Sequence, residues 1–251
     1  MSDIRYQLKK RLFRLKTSRR RRWKRRSAFA RDLFRNVLDA KLHYYAFGEL
    51  QKTRQLAIKL LKSSCKSPAV SHQRANDLKE EILNLKRGKD TDRLVFRLMN
   101  HFKSTNPIFI GSGLSYSKAY MAKVDSRLTI NCIGDCLKNE EINSEIFNHQ
   151  LGIKNIKIAS FRDITNADFV VISNLVAQED ILFFTEKYEK ILGSKCTIVL
   201  LNMRKNSELM QLWRQLQTNQ EFKICIDMFS AGILIADQDL QKQEYIRKIS
   251  I

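Results

Sequence analysis

The sequence predicts an α/β protein: a mainly parallel sheet that ends in an antiparallel hairpin and is preceded by an all-α N-terminal region. Three observations predict it. From Asn106 onward, strand-sized apolar runs alternate with helix-length stretches, as in sheets built by right-handed crossovers. The last two apolar runs are separated only by Phe229-Ser-Ala231, too short for a parallel return, which needs a dozen residues or more. Before Asn106 the apolar spacing is helical throughout.

The helical elements follow from that spacing. Residues 4–16 place Ile4, Leu8, Leu12 and Leu15 three or four apart among Lys and Arg, an amphipathic basic helix. Arg19 to Arg26 reads RRRRWKRR. A second helix is expected over 27–48 (Phe29, Leu33, Phe34, Val37, Leu38, Leu42, Tyr45), a third over 49–61, a fourth over 72–85 and a fifth over 91–102, with a loop at 63–71 that contains Pro68. Strands are then expected at 107–110, 128–133, 156–159, 169–172 and 196–201, with helices at 116–124, 138–151, 179–192 and 208–217. The closing hairpin pairs 222–228 with 232–236. Five parallel strands followed by a hairpin resemble the class I methyltransferase-like variant of the Rossmann-like sheet. The expected organisation is a basic arm (1–26), a helical N-terminal domain (27–105) and a Rossmann-like domain (106–251).

Charge divides the chain in the same place. There are 46 Lys and Arg against 26 Asp and Glu, a formal net charge of +20. Residues 1–100 hold 28 basic and 9 acidic side chains, whereas 101–251 hold 18 and 17. An acidic partner for the N-terminal half is implied. No apolar run is long enough to span a bilayer, and no h-region follows the basic N-terminus. The scattered cysteines, Cys65, Cys132, Cys136, Cys196 and Cys225, lack the paired spacing of a zinc site. Buried thiols in a reducing cytoplasm are the expectation.

The candidate site sits at the carboxyl ends of the strands. The turn Gly111-Ser112-Gly113 lets a ligand approach the backbone ahead of a helix N-terminus. The third glycine of a dinucleotide fingerprint would fall at Tyr116, too bulky for pyrophosphate. That disfavours NAD and leaves S-adenosylmethionine as the expected cofactor and donor; a tight turn without ligand is the plainer reading. Asp135, about twenty residues beyond the turn, suits the two ribose hydroxyls, or else a helix N-cap. Asp163 after the third strand could accept from the adenine amino group, or cap a turn. Asn174, ending the fourth strand, and Tyr116 are the candidate catalytic residues; a strand-end Asn is also a turn former. No histidine, cysteine or carboxylate pair stands out as nucleophile or acid/base couple. A sulfonium donor needs mainly orientation and a deprotonated acceptor.

The stretches IFIGSG (108–113), INCIGD (130–135), LGIKNI (151–156) and ADFVVISNLV (167–176) resemble nicotianamine synthases and their bacterial metallophore relatives. That family also places a helical domain before its first glycine strand. The resemblance implies transfer of an aminocarboxypropyl group from S-adenosylmethionine to a small-molecule amine, giving a metal-chelating metabolite. The chain departs from the family at Leu114-Ser-Tyr-Ser117, where relatives carry proline-leucine-proline, and has no tyrosine in residues 90–102.

The arm supports three readings. Arg19, Arg20, Arg21, Arg22, Lys24, Arg25 and Arg26 around Trp23 suit nucleic-acid phosphates with an indole to stack on a base. The same residues beside an apolar helix suit an anionic membrane. A solvated arm is the third. An S-adenosylmethionine-dependent RNA methyltransferase and a non-catalytic nucleic-acid-binding protein therefore stand beside the metallophore-type transferase. Oligomeric state is not specified by the sequence.

Overall fold

A computed structural model describes residues 3–19, 27–40, 42–67, 71–134 and 140–248. Helix α1 (Asp3–Arg19) is followed by α2 (Ala28–Leu33), which widens into a π-helical turn over Phe34–Leu38. Then come α3 (Ala46–Cys65), α4 (His72–Arg87) and α5 (Lys89–Phe102). Ser27 and Ser71 cap α2 and α4, their hydroxyls accepting from the amides of Ala30 and Arg74.

The expected continuous helix over 27–48 is interrupted. Residues 39–40 and 42–45 are not helical, and α3 runs longer than expected. Tertiary partners hold the break: Arg247 donates to the Asp39 carboxylate at 2.7 and 2.8 Å, and Arg97 to the carbonyl of Leu42 at 3.1 Å. Helical spacing alone cannot register such remote donors.

The sheet contains β1 (Pro107–Ile110), β2 (Ile130–Ile133), β3 (Ile156–Ile158), β4 (Ala167–Ile172), β5 (Leu192–Leu201), β6 (Phe222–Asp227), β7 (Ala231–Ala236) and β8 (Gln243–Ile246). Their spatial order is β3-β2-β1-β4-β5-β7-β6-β8. The first five are parallel, and β7 runs antiparallel between β5 and β6. This is the class I methyltransferase-like arrangement with the hairpin as expected. The eighth strand, parallel to β6, was not anticipated. Its sequence QEYI buries only Tyr245, so no apolar alternation announces it.

Helix α6 (Tyr116–Ala122) follows β1, and α7 (Glu140–Asn143), continued as a π-helical stretch over Ser144–Gln150, precedes β3. Helix α8 (Gln178–Ile191) joins β4 to β5 and α9 (Ser207–Thr218) joins β5 to β6. Side chains alternate across the sheet. Ile108, Ile110, Val170, Ile172, Ile198 and Leu200 pack with α8 and α9. Phe109, Phe169, Val171, Val199 and Leu201 face the opposite way and share one apolar cluster with α2 to α7. The period of two thus decides which layer each residue joins.

Candidate functional site at the carboxyl edge of the sheet

The turn after β1 is laced to both neighbouring strands. Gly111 donates its amide to Ile133 O at 3.0 Å, and Ser112 donates its amide to Leu175 O at 3.1 Å; the Ser112 hydroxyl donates to the same carbonyl. A Cβ on Gly111 would lie 2.7 Å from the Ser173 Cβ, so only glycine lets β4 close in. Gly113 has φ +70° and faces the N-terminal helices: a Cβ there would sit 2.6 Å from Glu81 Oε1.

Those helices bring buried charge to the edge. Glu81 projects from α4 and is 3 % exposed. Lys118, on α6, is also buried; its Nζ donates to Gly113 O at 3.0 Å and lies near the rings of Phe109 and Phe147. Below them Arg54 pairs with Asp92 at 2.7 Å and donates to Leu85 O at 2.9 Å. Ser117 donates to the other oxygen of Asp92, and the Arg54 guanidinium lies 4.6 Å from the centre of the Tyr116 ring. This network fastens α3 and α5 to the helix behind the glycine turn.

The opposite wall is made by the ends of β4 and β5. Asn174 is 8 % exposed, its Oδ1 accepting from Asn202 Nδ2 at 3.2 Å, while its own Nδ2 has no hydrogen-bond partner among the described residues. Asn202 holds a left-handed backbone, φ +48°, which asparagine adopts more readily than other non-glycine residues. Between the walls runs a crevice of about 30 Å³ bordered by Asn84, Asp92, Leu114, Ser173, Asn174 and Asn202, room for one or two water molecules. On the other side of the turn, Asp180 at the start of α8 reaches over the end of β2: its Oδ2 would be 2.9 Å from a Cβ on Gly134. Desolvation, aided by the charge of Glu179, holds its carboxyl above the ordinary range.

The structure thus gathers Gly111, Ser112, Gly113 and Asn174 at one edge. Asp163 lies on a short 3-10 turn past β3, exposed, with no side-chain hydrogen bond among the described residues. Tyr116 is 1 % exposed and packed between Arg54 and Phe147. Burial pushes its phenol well above its ordinary pKa, so it stays protonated and cannot serve as a base. Asp135 and the run Arg20 to Arg26 lie outside the described residues; Arg19 ends α1.

Glu81, Lys118 and Asp180 were missed by sequence reasoning. A signal existed for the first. Glu81 falls among Leu78, Ile82 and Leu85, the residues that α4 buries, and a carboxylate in an apolar stripe is rarely accidental. Arg54 interrupts α3 in the same way, between Leu50 and Ala57.

No protein-family model and no curated protein matches the chain. Among solved structures, an O-methyltransferase from Bacillus cereus in complex with SAH is similar at TM-score 0.54 and 12 % identity, covering 83 % of this chain and 97 % of that one. A Podospora anserina methyltransferase, PaMTH1, bound to SAH, gives TM-score 0.53 and 11 % identity over 80 % and 99 %. TomG, an O-methyltransferase of tomaymycin synthesis from Streptomyces achromogenes in complex with SAM, gives 0.51 and 12 % over 83 % and 96 %. At such identities the likeness concerns the fold.

Proposed function

We propose that the chain is an S-adenosylmethionine-dependent transferase that moves an aminocarboxypropyl group to a small amine, building a metal-chelating metabolite. One observation carries the reading: a buried carboxylate from the helical region, Glu81, meets the glycine turn of a methyltransferase-type sheet. The residues present fit the donor in kind. Gly111 and Gly113 leave the turn's backbone without side chains of its own, although Ser173 and Glu81 pack over it, and Asn174 Nδ2 has no hydrogen-bond partner among the described residues. Asp135 and Asp180 would take the ribose hydroxyls from the β2 side and Asp163 the adenine amino group. When bound, the sulfonium supplies an electrophilic carbon with a neutral thioether leaving group.

The chain's residues then have orienting and proton-holding roles. Glu81 accepts the proton lost by the amine as it becomes a neutral nucleophile. Asn174 Nδ2 donates to the acceptor and fixes its approach. Because the crevice holds only one or two waters and Glu81 packs against Gly113, α4 and α5 must give way at the sheet edge for both donor and acceptor to enter. Lys205 Nζ, 3.1 Å from Asn84 Oδ1, is the contact to be released.

Turnover of the donor with an amine pool, read by mass spectrometry, tests this. Methylthioadenosine is the expected by-product, and Glu81→Gln should lower its release by roughly 10²-fold or more while leaving donor affinity within a few-fold. Methyl transfer, to RNA or another acceptor, is the second reading, favoured by the methyltransferase neighbours. Release of adenosylhomocysteine would select it. Absence of heat with the donor in calorimetry would remove both and leave a non-catalytic binding protein.

A further inference from the structure

Helix α1 has two faces with opposite fates. Tyr6 is 3 % exposed, its hydroxyl donates to Asn202 Oδ1 at 3.3 Å, and its ring lies 5.2 Å from Phe229. Phe13 meets Phe229 at 5.3 Å, and the Arg204 guanidinium lies over both rings. These contacts anchor α1 to the ends of β5 and the β6–β7 hairpin. At roughly 100° per residue, Leu8, Leu12 and Leu15 fall on the opposite side of the helix. They are 58, 51 and 60 % exposed. Arg5 and Arg11 flank this leucine stripe, and Lys9 and Arg14 are exposed beyond it. The apolar residues that made α1 read as amphipathic are therefore not the ones that fix it to the body.

Tyr6 and Phe13 already anchor the helix, and the fold leaves more than half of each of the three leucines in water. A polyanion in water would use the cations and leave the leucines wet. A second copy of the chain would set like charge against like, because α1 carries seven Lys and Arg against Asp3. An anionic bilayer takes both features at once, the leucines at the headgroup–acyl boundary and the cations at the phosphates. Among the described residues no helix is long and apolar enough to cross a membrane, so the contact is interfacial. We propose that α1 docks this protein on an anionic lipid surface through Leu8, Leu12 and Leu15, with Arg5 and Arg11 at the lipid phosphates.

The full chain should co-sediment with phosphatidylcholine vesicles only when they contain phosphatidylglycerol. Combined Leu8→Ser, Leu12→Ser and Leu15→Ser should lower that binding by about tenfold or more, as should Arg5→Gln with Arg11→Gln at low salt. The thermal midpoint should change little, since more than half of each leucine is exposed and both arginines are exposed. If the triple variant is less stable, Leu12→Ser alone provides the same comparison. Three outcomes would overturn the proposal: equal vesicle binding by the leucine variants, binding to RNA without binding to vesicles, or a dimer that the leucine variants dissociate while vesicles are ignored.

Discussion

Under α8 and α9 the sheet packs on Ile, Val, Leu, Phe, Cys and Trp213, with no buried charge among the described residues; the face under α3 to α7 instead buries Arg54, Glu81, Asp92, Arg97 and Lys118 among its apolar residues. Both faces are closed and both use the period of two along the same strands. They differ in what closure must achieve. An apolar interface stabilises without directional demands. Buried ions pay a desolvation cost that their mutual attraction offsets only with good geometry. The charged face is therefore poorly explained by stability alone. Arg54, Asp92, Glu81 and Lys118 converge on the helix behind the glycine turn and on Gly113 itself, which ties their cost to the placement of the candidate site, whereas Arg97 holds the break after α2.

The sharpest way to break this contrast is to unpair the charged face. Arg54→Met leaves the Asp92 carboxylate buried beside Ser117, and we expect a loss of about 3–5 kcal/mol in urea unfolding. Adding Asp92→Leu should restore most of it. If the double variant stays as unstable as the single one, the pair is itself a source of stability and the contrast fails. On the apolar face, Gly232→Ala probes packing alone. Its Cβ would lie 2.6–2.7 Å from the Trp213 ring and 2.8 Å from Met203 Sδ, so a loss of about 1–3 kcal/mol is expected, with ligand binding intact in the fraction that folds. The smallest effect concerns Asp180. Its folded pKa is raised by desolvation, so ionisation opposes folding at neutral pH and ceases to do so as pH falls through that raised value. Asp180→Asn should raise stability slightly at neutral pH, a gain that disappears in acid. The same change should weaken donor binding. A variant whose stability difference is flat with pH would show that the carboxyl titrates normally.

The strand order was largely legible because it rests on local facts. Alternation from Asn106 onward, and a link between the last two apolar runs of only three residues (228–230 in the structure), leave few topologies for β1 to β7. Strand β8 was illegible, since one buried tyrosine in QEYI carries no period. The break after Leu38 was illegible for another reason: its partners, Arg97 and Arg247, lie far along the chain. In the site, the glycine turn and Asn174 were legible from their places at strand ends, whereas Asp180 was hidden in the first turn of an ordinary surface helix. Tyr116 shows the limit of position alone. It follows the turn as a site residue would, yet its ring is used for packing.

By itself the sequence determined the parallel sheet with its hairpin, the helical region before it and the concentration of charge at the N-terminus, because spacing, link length and charge are properties of neighbours in the chain. Only the tertiary structure decided that α1 would turn Tyr6 inward and three leucines outward, and that Glu81 would meet Gly113. Those outcomes depend on which surfaces meet across long stretches of chain, and helical periodicity assigns residues to a face without saying what that face will touch.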